Sequence, residues 1–302
     1  MSVIENALKR LQGQGAAGSA PSAGKDDKGY GAVIAAGAAR RRELSTETGT
    51  PENAVSIDHD ALRAAGMLPP VHQEHEIGQQ YRRIKRPLIN NALGRGVAQL
   101  ADGNIIMITS ALPGEGKTFI SLNLALSMRL EEDVTALLVD GDLVNPRLSQ
   151  IFGLENRPGL LDIVKDPGVS LGSVILPTDL PGLSFLPAGR QDANATELVA
   201  SARMHQVMAR LGSENPARLV LIDSAPLLVT TETQALAHFA GQVVVVVQAD
   251  QTPQHVVLDA LETLAEDKPV FLVLNQTTRH SHSGYYGEYG SGAKWREHTG
   301  SS

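Results

Sequence analysis

The stretch Ala111-Leu-Pro-Gly-Glu-Gly116-Lys117-Thr118 sets two glycines, a lysine and a threonine between an apolar run, NIIMITS, and a helical pattern, FISLNLALSM. These residue types at this spacing suit phosphate chemistry. A loop that wraps backbone N–H groups around an anion has no room for bulky side chains, which accounts for Gly114 and Gly116. Lys117 supplies a point charge to the β- and γ-phosphates, and the Thr118 hydroxyl is a ligand for Mg2+. A helix starting near Thr118 turns its positive end to the same anion. The nucleotide contacts expected on this reading are Ala111, Gly114, Glu115, Gly116, Lys117, Thr118 and Phe119.

Two later apolar runs lead into aspartate: ALLVDGD reaches Asp140 and Asp142, and RLVLIDSAP reaches Asp223. In an open parallel sheet, ligands collect beyond the carboxyl ends of the strands, so these carboxylates are expected to converge on the loop. Mg2+ takes oxygen ligands in octahedral geometry and usually keeps several waters. Thr118, Asp140 and Asp223, with phosphate oxygens, would satisfy it.

Such a site needs a rigid sheet beneath it. Apolar runs at 104–109, 135–139, 183–186, 218–222, 242–247 and 270–274 are separated mainly by helical patterns. The runs are nearly continuous rather than alternating, as expected of strands covered on both faces. QVVVVVQ is the clearest, because consecutive β-branched residues disfavour a helix and suit a central strand. The pattern predicts an α/β fold: an open, mostly parallel sheet with helices on both faces, of the P-loop NTPase kind.

The 302 residues divide into three parts: 1–75, 76–278 and 279–302. The first is rich in Ala, Gly, Ser and Pro and reads as largely disordered tether. It opens with a short amphipathic helix, on which Val3, Ile4, Ala7, Leu8 and Leu11 share a side, and a brief helix is expected around Asp58 to Ala65. The segment EIGQQYRRIKRPLINNAL is basic and reads as helical as far as Pro87. The last part, polar and glycine-rich, reads as a flexible tail carrying Tyr285, Tyr286 and Tyr289. A net charge of −7 argues against a nucleic-acid binder with a broad basic surface. No run approaches the ~18 apolar residues of a membrane-spanning helix, and the start lacks the apolar core of a secretory signal. There is no cysteine, so disulfides and thiolate metal sites are excluded.

Taken together, the phosphate loop, Asp140 with Asp142, the IDSAP form around Asp223, GLSFLPAG, TELVAS and the terminal tyrosines resemble the bacterial P-loop tyrosine kinases, or BY-kinases. MSVIENALKRL and RRIKRPLI look like the subgroup associated with exosortase-linked exopolysaccharide export. The resemblance spans roughly Gln79 to Tyr289. It implies an ATP- and Mg2+-dependent autokinase that phosphorylates Tyr285, Tyr286 and Tyr289 in trans, with Lys117, Asp140, Asp142 and Asp223 as catalytic residues. Asp142 or Asp140 would accept the tyrosine proton, and the residues leave that choice open. From Asn275 to Tyr289 an extended chain spans up to ~45 Å, enough for exchange between copies.

Some positions depart from the family. An arginine or lysine commonly follows the second Asp by two places, where this chain has Val144. The self-association helix carries Glu, Arg, Arg at three-residue spacing, matched here by Gln79, Arg82 and Lys85. The activator segment fused to some members is missing, which implies a separate inner-membrane polysaccharide chain-length or co-polymerase activator. A cytoplasmic protein recruited to that membrane is the corresponding expectation. Nucleotide-switched positioning ATPases of the partitioning and division-site type share the fold. They carry a signature lysine at the place of Leu112 and lack a tyrosine tail. A catalytically silent export scaffold is the remaining alternative.

Overall fold

A computed structural model describes residues 54–277 of the chain. Its strands are β1 (Ile105–Ser110), β2 (Thr135–Gly141), β3 (Leu176–Pro177), β4 (Leu183–Leu186), β5 (Arg218–Ser224), β6 (Gln242–Gln248) and β7 (Val270–Asn275). They form one 7-stranded sheet in the order β3-β4-β2-β5-β1-β6-β7. Every pairing is parallel except β3 against β4. The six apolar runs of the sequence are six of these strands, so the expected fold class holds. The two-residue β3 was too short to show a pattern.

Period-two alternation assigns the strand residues to two cores. On one face Ile106, Ile108, Leu138, Leu221 and Val244 pack under helices α1 (His59–Ala64), α2 (Glu74–Leu93), α3 (Lys117–Met128) and α4 (Arg147–Ile151). On the other, Ile105, Met107, Val139, Ile222 and Val245 are covered by α5 (Leu160–Lys165), α6 (Leu171–Val174), α7 (Ala195–Val199), α8 (Ala202–Ser213), α9 (Thr231–Ala237) and α10 (Gln254–Glu262). Burial on both faces explains why the strands read as continuous apolar runs. α3 packs against the sheet on one side and α2 on another, so Ile120, Leu122, Leu124, Ala125 and Met128 are buried around most of its circumference.

Three expectations change. Residues 54–75, read as tether, pack on the domain. The Val55 N–H donates to the Pro177 carbonyl (2.8 Å), Val55 pairs in parallel with Thr178, and Ile57, Leu62 and Leu68 are buried. This strap also covers the exposed edge at β3, a common way to protect a sheet edge. The expected brief helix is α1, whose N-cap Asp58 accepts the Asp60 and Ala61 N–H groups at 3.0 Å.

Helix α2 does not stop at Pro87 but continues through it to Leu93. Burial of Leu88, Ile89 and Ala92 against the sheet outweighs the missing proline N–H.

The third change concerns Lys85, expected beside Arg82 on a self-association surface. Its ammonium is buried, donates to the Ser127 carbonyl at 2.7 Å and pairs with Glu131 at 2.8 Å. Lys85 therefore fastens α2 to the end of α3 within one chain. The N-terminal amphipathic segment and the tail tyrosines lie outside the described residues.

Candidate functional site

The site lies at the carboxyl ends of β1, β5 and β2. β1 ends at Ser110 and the chain turns through Ala111–Gly116 into α3. Gly114 and Gly116 have φ of 85° and 93°, a region side-chain-bearing residues rarely adopt. A Cβ on Gly116 would fall 2.0 Å from Asn275 Nδ2, whereas one on Gly114 would meet nothing within 4 Å. Gly116 is thus required by conformation and contact, and Gly114 by conformation alone, with open space above it.

The Glu115 side chain turns inward, so a nucleotide contact at this position would be made by its backbone. Its carboxylate is buried and accepts the Leu112 N–H at 2.7 Å, the Gln248 N–H at 3.4 Å and the Thr252 hydroxyl. That side chain braces the loop against the end of β6 and leaves only backbone to face a ligand. The Phe119 ring likewise packs against the apolar core, so only its backbone N–H could face a nucleotide. Asn275 Nδ2 donates to the Glu115 carbonyl at 2.9 Å, and Gln276 Nε2 to the Gly114 carbonyl at 3.1 Å. Nothing in the sequence pattern marked Gln276 as part of this bracing.

The Ile120 N–H returns to the Gly116 carbonyl at 3.0 Å, which leaves the N–H groups of Lys117, Thr118 and Phe119 without partners inside the helix. Lys117 Nζ stands 3.4 Å from Asp142 Oδ2, both side chains being mostly buried. Asp140 and Asp223 are register partners on adjacent β2 and β5 and share the face covered by α3. Asp140 Oδ2 accepts the Ser149 N–H and hydroxyl, each at 2.7 Å. Asp223 Oδ1 accepts the Ser121 hydroxyl at 2.9 Å, and Asp142 Oδ1 the Asn145 N–H at 2.9 Å.

One oxygen of each paired carboxylate remains. Asp140 Oδ1 and Asp223 Oδ2 are buried without a hydrogen-bond partner among the described residues. Burial, with the neighbouring Asp223 charge, pushes the Asp140 carboxyl up to about 7 despite the Ser149 bonds. Burial likewise raises Asp223 to about 6, opposed by the Lys117 charge and the Thr118 and Ser121 hydroxyls. Unsatisfied buried carboxylate oxygens are costly and are matched by a cation. Among the described residues no group of three or more His, Asp or Glu could hold a metal alone. Both observations suit Mg2+ completed by Thr118, water and phosphate oxygens.

No family model matches the chain. YwqD of Bacillus subtilis is 29% identical over 69% of this chain and 86% of its own length. It is named a tyrosine-protein kinase. ExoP of Rhizobium meliloti, a succinoglycan biosynthesis transport protein, is 30% identical over 66% of this chain. The chain spans about a quarter of the length of ExoP and of other large curated relatives, 25% and 26% in two instances. Among solved structures, the VpsO kinase domain aligns over 69% of this chain and 100% of its own, with a TM-score of 0.57 and 26% identity. Curated relatives at about 30% identity thus carry the tyrosine-kinase name. Among the described residues no helix is long and apolar enough to cross a membrane.

Proposed function

We propose that the chain is a BY-kinase that transfers the γ-phosphoryl group of ATP to Tyr285, Tyr286 and Tyr289 of a second copy. The observation that carries this reading is the meeting of Lys117 and Asp142, 3.4 Å apart, beside two buried carboxylates that each keep a free oxygen. The kinase names of the relatives support it.

The loop N–H groups and the start of α3 bind the phosphates. Lys117 holds charge on the transferred group as the bond from the γ-phosphorus to the bridging oxygen breaks and ADP leaves. Asp142 Oδ2, free of backbone bonds, takes the tyrosine proton as the new phosphorus–oxygen bond forms. Asp140 is less suited to that task, because it is fully buried beside Asp223, where its remaining oxygen would face the metal. Asp140, Asp223 and Thr118 would hold Mg2+. When bound, it neutralises charge on the β- and γ-phosphates. Ser149 and Ser121 orient the two carboxylates.

The export context extends the proposal. By analogy with ExoP, the chain serves exopolysaccharide synthesis or export, in the exosortase-associated subgroup. It is cytoplasmic and drawn to the inner membrane by a co-polymerase activator. Lys117→Met tests the chemistry, because the side chain faces phosphate rather than the core. Phosphotyrosine should disappear while circular dichroism keeps the parent signature. Retained autophosphorylation would remove Lys117, and with it this assignment.

A further inference from the structure

Four exposed apolar side chains stand beyond the carboxyl ends of three neighbouring strands: Leu112 after β1, Val144 after β2, and Leu228 with Val229 after β5. Val144 and Val229 are each 56% exposed, so packing does not account for them. The backbone that carries them is tied to the site. The Leu227 N–H donates to the Ser110 carbonyl at 2.8 Å, and Ser110 Oγ to the Leu112 carbonyl at 2.8 Å. Asp142 Oδ1 closes the turn bearing Val144 through the Asn145 N–H at 2.9 Å, and Gln191 Nε2 holds the Val144 carbonyl at 3.2 Å. Asp142 and Asp223 stand at two of these strand ends, and Lys117 opens the helix that follows β1. An apolar rim therefore borders a charged opening. Phosphate gains nothing from such a rim, whereas a flat apolar ring with a polar tip matches rim and opening together.

We infer that Leu112, Val144, Leu228 and Val229 are the platform for the acceptor ring, and that its occupant is the tyrosine-bearing segment 279–302 of a second copy of this chain. The inference rests on the kinase reading and adds the residues that select tyrosine over serine or threonine. Two observations single out that occupant. The described chain ends at Thr277, and from Asn275 to Tyr289 an extended chain spans up to ~45 Å, enough to reach the rim of a second copy. That segment also holds three of the five tyrosines of the chain, within positions 285–289. A serine hydroxymethyl would reach the opening only by leaving the rim uncovered, and sites discriminate through such differences in contact.

The test measures binding separately from transfer. The full chain carrying Tyr285→Ser, Tyr286→Ser and Tyr289→Ser is loaded with Mg2+ and a non-hydrolysable ATP analogue. Fluorescence anisotropy then follows labelled peptides of residues 279–294 with tyrosine, phenylalanine or serine at the three positions. Tyrosine and phenylalanine peptides should bind alike, and the serine peptide about tenfold more weakly. Adding Val144→Ser, Leu228→Ser and Val229→Ser should weaken the tyrosine peptide about tenfold, with affinity for the ATP analogue unchanged. Equal binding of tyrosine and serine peptides, undiminished binding by the rim variant, or no peptide binding at all would overturn the inference. So would a rim variant that alters only sedimentation, which would assign the rim to contact between copies. Rim-dependent peptide binding without phosphate transfer to that tyrosine peptide under ATP would sink the kinase reading and leave the rim standing.

Discussion

Asp140 and Asp223 face each other across β2 and β5, and the geometry that suits them to a cation makes them resist ionisation without one. The folded chain holds their protons more tightly than the unfolded chain, whose carboxyls titrate near 3.8. Their favourable contribution to metal-free stability is therefore complete below that value and is lost as pH rises through about 6 and about 7. Within that window each carboxyl lowers stability by at most about 1.4 kcal/mol per pH unit. Melting temperatures between pH 4.5 and 8 should fall more steeply for the parent than for Asp140→Asn with Asp223→Asn. Mg2+ with ATP should flatten the parent curve. Equal slopes for parent and variant would show that the two carboxyls do not titrate abnormally. Lys85 teaches a different lesson at this scale. A lysine in a basic run reads as a surface charge, yet its contacts with Ser127 and Glu131 fasten two helices.

The strap of residues 54–68 holds its place through few side chains, and Asp179 joins it to the edge of the sheet. The Asp179 carboxylate accepts the Ile57 N–H at 3.0 Å and the Ser56 hydroxyl at 3.1 Å. Asp179→Ala should cost about 1–2 kcal/mol and speed amide exchange at Val55 and Ile57, with exchange in β1 and β5 unchanged. Uniform protection across the strap would mean that burial of Ile57 and Leu62 suffices alone. The strap was illegible in the sequence for a physical reason. Val55 and Ile57 alternate with exposed Ser56 and Asp58 over too short a run to declare a strand, and Leu62 and Leu68 stand isolated in a stretch of small and polar residues. The central strands were legible because burial on both faces writes apolar runs that no surface element carries. The phosphate loop was legible because phosphate binding by backbone dictates residue types at fixed spacing. Glu115 fell inside that motif, but its inward turn depends on Gln248 and Thr252, more than a hundred residues away.

At the scale of the whole molecule, Tyr285, Tyr286 and Tyr289 are proposed to receive phosphate from the site of another copy. A mixing experiment separates that route from transfer within one chain. Lys117→Met chains retain acceptors without the phosphate lysine, while chains with Tyr285, Tyr286 and Tyr289 all changed to Phe retain the site without acceptors. Mixed with ATP and Mg2+, they should restore phosphotyrosine on the Lys117→Met chain, and a silent mixture beside an active parent would mean transfer within one chain. Tyr81 cannot blur the reading, because it is buried in α2 with its hydroxyl unpartnered among the described residues. The most direct test of the central claim is phosphopeptide mapping by mass spectrometry after purified parent chain is incubated with ATP and Mg2+. The account predicts phosphate on Tyr285, Tyr286 and Tyr289. ATP turnover with no phosphorylated tyrosine, or phosphate confined to serine and threonine, would contradict it.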